Sequence, residues 1–227
     1  MQQPAVVAYP ARAASASVPA VWGSDSAVAP PAIAPVILPH PFAVCMIGER
    51  STGKNTAICR ILNTPLMTRR PDMVYLIRSV HKPLHDAAIC GYNNTVWDFE
   101  HANFGAVGFR SLVILDGVYY EAVRSREFRV LMQRAQRDEI SVIITTPVWF
   151  SNNTFAPIIK THLTFVFRFN SCFRPDQNGF DDILDLQRHW RAVQRWNATA
   201  FGVLVVDLRP APPPGWPRLY VCVFAPY

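Results

Sequence analysis

The apolar positions of this chain fall into short unbroken runs separated by segments of helical spacing. Phe42–Ile47, Met73–Ile77 and Leu112–Leu115 are runs of this kind, and Ile140–Ile144 is one broken only by Ser141. Such runs predict strands buried on both faces. Lys54 to Leu62 predicts a helix that stops at Asn63–Thr64–Pro65. Tyr119 to Arg137 predicts a second helix, with Val123, Phe128, Leu131, Met132 and Ala135 on its apolar face. Arg124, Arg126, Arg129, Arg134 and Arg137 make that segment cationic, as a solvated face or as a subunit or DNA contact. Further on, His162–Phe169 predicts a strand, and Asp181–Trp196 an amphipathic helix. Phe201–Leu208 and Leu219–Phe224 predict a terminal hairpin across the stiff Pro210–Pro217 turn. Residues 78–108 show no clear period, and their histidines, His81 and His85 among them, read as ordinary loop or surface chemistry. Strands alternating with helices imply a three-layer α/β architecture with a mostly parallel central sheet, right-handed crossovers and a C-terminal β-hairpin.

The first 40 residues break this pattern. Prolines at 4, 10, 19, 30, 31, 35 and 39 forbid long helices and central strands. Residues 1–40 therefore read as a Pro/Ala-rich flexible arm that could dock on a neighbour, and 41–227 as one domain. A length of 227 residues, half of them apolar, suits that division. The net charge of +6 suits an anionic partner such as nucleic acid or nucleotide. Cys45, Cys59, Cys90, Cys172 and Cys222 are scattered and odd in number, which suits buried free thiols in a reducing compartment. They contain no C-x-x-C pair, so a zinc site is not expected. No apolar run has the length of a membrane span, and the start lacks the pattern of a secretory signal.

Candidate chemistry gathers where the first apolar run ends. Gly48–Glu49–Arg50–Ser51–Thr52–Gly53–Lys54–Asn55–Thr56 contains the G-x-x-x-x-G-K spacing of a phosphate-binding loop. Backbone N–H groups must curl around a polyphosphate, and glycine permits the curl. The helix that follows adds partial positive charge at its N-terminus, and Lys54 adds a full one. A hydroxyl that reaches Mg²⁺ is expected directly after the lysine, but that position is Asn55 and the hydroxyl follows at Thr56. The run ending in Asp116 would deliver a carboxylate to the carboxyl edge of a parallel sheet, where it can orient Mg²⁺. The residue after it is Gly117 rather than a second acid, and Glu121 is the nearest other carboxylate. Thr145 and Thr146 end the next strand where a γ-phosphate sensor would sit.

This ordered set resembles the DNA-packaging ATPases of large double-stranded DNA viruses, within the FtsK–HerA superfamily of P-loop motors. The resemblance runs from about residue 42 to 226. It rests on Gly48–Thr56, Leu112–Asp116, Val142–Thr146, the approach Pro157–His162, and the endings Val203–Asp207 and Leu219–Val223. It implies a P-loop NTPase sandwich that binds ATP through residues 48–56. Asn55 or Thr56, with Asp116, would hold Mg²⁺, and Thr145 or Thr146 would sense the γ-phosphate. Lys160, or an arginine of an adjacent subunit, would stabilise charge in trans. The implied partners are double-stranded DNA, capsid or portal-vertex proteins, and further copies in a ring. The implied location is the host cytoplasm or viral factory, or the virion itself. The chain departs from the family at Asn55, Gly117, Pro147 and Lys160, and Arg137 stands one position out of register with a familiar Arg–His pair. These departures motivate a second reading, a degenerate P-loop protein with a structural or assembly role and little turnover. A small nucleoside kinase lacks an arginine-rich lid here, and a plain DNA-binding module would leave the glycine loop unexplained.

Overall fold

Apolar side chains on both faces of a strand need cover on both sides, and the chain supplies it with helices. The computed structural model describes residues 32–33, 36–79, 81, 83–147, 161–169, 202–210 and 219–223. Within them lie strands β1 (Ala32–Ile33), β2 (Ala43–Ile47), β3 (Met73–Arg78), β4 (Asn94–Asp98), β5 (Ser111–Asp116), β6 (Ser141–Thr146), β7 (Phe165–Phe169), β8 (Gly202–Asp207) and β9 (Leu219–Val223). The helices are α1 (Lys54–Asn63), α2 (Pro83–Ile89), α3 (Tyr119–Arg124) and α4 (Arg126–Ala135). All nine strands join one sheet in the order β1-β9-β8-β7-β2-β6-β5-β3-β4. The pairs from β7 across to β4 are parallel. Only β8 runs against its neighbours, β7 and β9. The expected α/β sandwich with its mostly parallel sheet and terminal hairpin is therefore present.

Alternation along the strands divides the core. Val44 and Met46 of β2 pack with Ala57, Ile58 and Ile61 of α1, while Cys45 and Ile47 pack with Phe128, Leu131 and Met132 of α4. Phe128 has no exposed surface, and its ring lies 5.5 Å from that of Phe104. Replacing Phe128 with alanine is expected to lower the free energy of unfolding by about 3–5 kcal/mol. Chemical denaturation checks this, and a loss below about 1 kcal/mol would mean the layer tolerates the cavity.

Several expectations need correction. The segment 119–137 is two helices, because Ser125 interrupts it. Its hydroxyl accepts the Phe128 N–H at 3.1 Å, which caps α4 while α3 ends. Residues 78–108 hold α2, β4 and two short 3₁₀ turns. β4 is an edge strand whose exposed and half-buried positions alternate, so it shows no apolar run. The chain also joins the domain before residue 41. Ala32–Ile33 pairs in parallel with β9, and Val36 and Leu38 are buried in the core. Cys45, Cys59 and Cys222 are buried free thiols, and burial pushes the Cys59 thiol up to about 11. Cys90 is instead exposed. Among the described residues no helix is long and apolar enough to cross a membrane. Residues 1–31 and 34–35 of the arm expected over 1–40, the helix over 181–196, Lys160, Cys172 and most of the Pro210–Pro217 turn lie outside the described residues.

Candidate nucleotide site

Strand order decides which loop ends meet. From β2 the chain passes through α1 to β3, and β5 and β6 later fill the gap between them. The carboxyl ends of β2, β6 and β5 thus lie side by side, an edge where parallel α/β sheets bind ligands.

The loop leaving β2 starts tightly. Gly48 N–H donates to the Thr146 carbonyl at 3.1 Å. A Cβ on Gly48 would stand 2.7 Å from Thr52 Oγ1 and 2.9 Å from Phe169 Cβ, so a side chain there forces the loop open. Thr52 Oγ1 donates to the Glu49 carbonyl at 2.9 Å and holds the turn from inside. Ser51 and Gly53 take left-handed conformations, at φ 62° and 99°. Gly53 caps α1 without a side-chain bond, and no acid stands in the first turn of that helix. Its leading N–H groups and the helix dipole suit an anion. The Lys54 ammonium folds back onto the carbonyls of Gly48 and Glu49. An ammonium satisfied by loop carbonyls can exchange them for phosphate oxygens without leaving the turn.

Opposite stands Asp116, the last residue of β5, only 3% exposed. Thr145 of β6 donates its hydroxyl to Asp116 Oδ1 at 2.9 Å, and Thr145 Oγ1 accepts the Gly117 N–H at 3.1 Å. Thr145 thus orients the carboxylate. Gly117 adopts φ 76°, a conformation that disfavours any side chain. A glutamate at that position would be strained in this conformation. Gly48, Arg50, Ser51, Gly53, Lys54, Asn55 and Thr56 line one cleft of about 660 Å³ together with Asp116, Thr145 and Thr146. Tyr119 and Tyr120 stand at its side. Glu49 and Thr52 serve the loop's internal bonding instead. Glu121 is exposed on α3 and does not line the cleft. Arg137 pairs with Asp138 ahead of β6, at the opposite sheet edge.

One residue of the site escaped sequence reading. His85 is not on the surface: it is 1% exposed, with Nδ1 3.2 Å from Asp116 Oδ2. α2 places it there. Asp86, the next residue, pairs with Arg78 at 2.5 Å and with His81 at 3.2 Å. The Cys59 thiol of α1 meets the Leu84 carbonyl at 3.6 Å. The available signal was Pro83 at a helix start, followed by His85, Ala88 and Ile89 at i, i+3 and i+4. That spacing puts the imidazole on the buried face.

The sequence matches no family model and no curated protein. Solved structures do match. The DNA-packaging ATPase B204 of Sulfolobus turreted icosahedral virus superposes with a TM-score of 0.53 at 13% identity, covering 80% of this chain and 97% of that one. The genome packaging NTPase B204 of Sulfolobus turreted icosahedral virus 2, in complex with sulfate, gives 0.51 at 11% identity over 80% and 95%. Its AMPPCP complex gives 0.50 at 13% over 80% and 96%. At such identities the likeness is one of fold, and the fold is that of P-loop ATPases.

Proposed function

We propose that this chain is an ATPase that couples hydrolysis to translocation of double-stranded DNA into a viral capsid. The observation that carries the proposal is the meeting of the glycine loop, Asp116 and the Thr145–Thr146 strand end in one cleft on one sheet edge. The packaging ATPases that share the fold support it, as does the net charge of +6.

In this reading the amides between Gly48 and Thr56 hold the phosphates, and Lys54 leaves its two carbonyls to meet the outer ones. Asn55, Thr56 and Asp116 fit Mg²⁺, an ion commonly held by one or two carboxylates with waters and substrate phosphates. When bound, Mg²⁺ neutralises charge developing on the β- and γ-oxygens. Thr145 keeps the Asp116 carboxylate turned, and Thr146 stands where the γ-phosphate ends. Lys160, or an arginine from the next copy in a ring, supplies the remaining cation. DNA contacts go to phosphates, because a packaging motor must ignore sequence. Capsid or portal-vertex proteins are the docking partners, in a cytoplasmic or viral-factory setting or on the virion.

A second reading keeps the fold and nucleotide binding but little turnover. The conformation of Gly117, which admits no second acid, favours it. Steady-state phosphate release with and without double-stranded DNA separates the two. The motor predicts turnover that DNA stimulates and that weakens as salt rises. Nucleotide binding with no phosphate release under either condition would establish the degenerate form.

A further inference from the structure

The Asp116 carboxylate has a different neighbour at each oxygen. Thr145 fixes Oδ1 by a formed hydrogen bond. His85 faces Oδ2 at 3.2 Å, but the ring is out of line, and neither of its nitrogens makes a hydrogen bond among the described residues. An imidazole this buried without a hydrogen bond is rare and calls for an explanation. Packing alone does not give one, since an apolar side chain would fill the same space without an unsatisfied polar atom. Nor is the placement loose. Asp86 ties α2 to Arg78 at the end of β3, and Leu84 ties it to Cys59 of α1, the helix that begins at Lys54. His85 therefore stands on the element that joins the phosphate-loop helix to the carboxylate.

We propose that His85 is a positioning residue of the hydrolytic site, which uses its Nδ1 to hold Asp116 Oδ2 while Thr145 holds Oδ1. That bond would fix the orientation of the carboxylate that the proposed site uses to hold Mg²⁺. His85 does not line the cleft, so it acts through Asp116 and touches neither nucleotide nor phosphate. The inference rests on the reading of this cleft as an ATPase site. It adds a residue that holds the carboxylate oxygen Thr145 leaves to it.

Two replacements separate positioning from packing. Asparagine can offer an N–H close to the place of Nδ1, whereas leucine keeps volume and offers none. In His85→Leu, kcat and the apparent affinity for Mg²⁺ are each expected to fall about 10–100-fold, while metal-free binding of a fluorescent ATP analogue stays within about twofold. His85→Asn is expected to recover most of the loss. A packing role predicts the reverse order, with leucine tolerated and asparagine harmful, and that order would overturn the proposal. The nucleotide-free protein gives an independent readout. At fixed pH, the ¹⁵N resonance of His85 Nδ1 is expected to move in Asp116→Asn, and an unmoved resonance would reject the contact. If the wild type neither binds nor hydrolyses ATP, the ATPase reading falls, and the imidazole resonance still decides whether His85 answers to Asp116.

Discussion

Lys54→Ala is expected to lower ATP turnover by about 10²–10³-fold, the usual effect of deleting one preorganised charge stabiliser at a phosphoryl or acyl centre. The ammonium is now shared by the Gly48 and Glu49 carbonyls, at the mouth of a turn that carries two left-handed residues. Alanine removes the charge that would meet the outer phosphates, and nucleotide affinity should fall with turnover. The fold should survive, since the side chain is only partly buried and the bonds it gives up can go to water. Phosphate release, titration with a fluorescent ATP analogue and a thermal melt test these statements in turn. Lys54→Arg is the informative companion, because a planar fork cannot turn onto two adjacent carbonyls and a phosphate as an ammonium can. It should recover charge without recovering rate. Turnover equal to wild type in Lys54→Ala would reject the loop as the phosphate site.

What could be read from the sequence follows from how far each signal reaches along the chain. β2, β5 and β6 were legible because strands covered on both faces are continuous apolar runs. The loop was legible because its chemistry lies within nine consecutive positions. β4 was not, since an edge strand needs apolar residues on one face at most. The break at Ser125 depends on a single hydroxyl reaching the N–H of Phe128, and the apolar period runs on across it. β1 was hidden by the prolines around it, although two residues between them suffice for an edge pairing. The site divided in the same way. Asp116 was legible as a strand-ending carboxylate, but its partners were not. Thr145 reaches it only because β6 lies beside β5, and His85 only because α2 folds over that edge. Both are consequences of sheet order, which no local window contains. The left-handed backbone of Gly117 belongs here too: the sequence showed an absent acid, and only the dihedral angle shows that a side chain there would be strained.

Asp116→Asn sets function against stability. The substitution keeps shape and leaves an acceptor for the Thr145 hydroxyl, so the strand end should hold its geometry. It removes the negative charge that would hold Mg²⁺, and metal-dependent turnover should fall about 10²-fold or more. Metal-free nucleotide binding should persist or tighten, because a carboxylate facing phosphates across a 660 Å³ cleft repels them until a cation stands between. The nucleotide-free protein should meanwhile become more stable. At 3% exposure the carboxylate has lost nearly all its water, and a charge kept buried for chemistry costs stability that a neutral isostere can return. A gain of about 1 kcal/mol would raise the melting temperature by about 2–4 °C for a chain of this size. Rate and melting temperature should then move in opposite directions in one variant. That result would mark Asp116 as a residue retained for chemistry at the expense of the fold. A fall in both would assign it instead to the structure of the sheet edge, and an unchanged rate would remove it from the metal site.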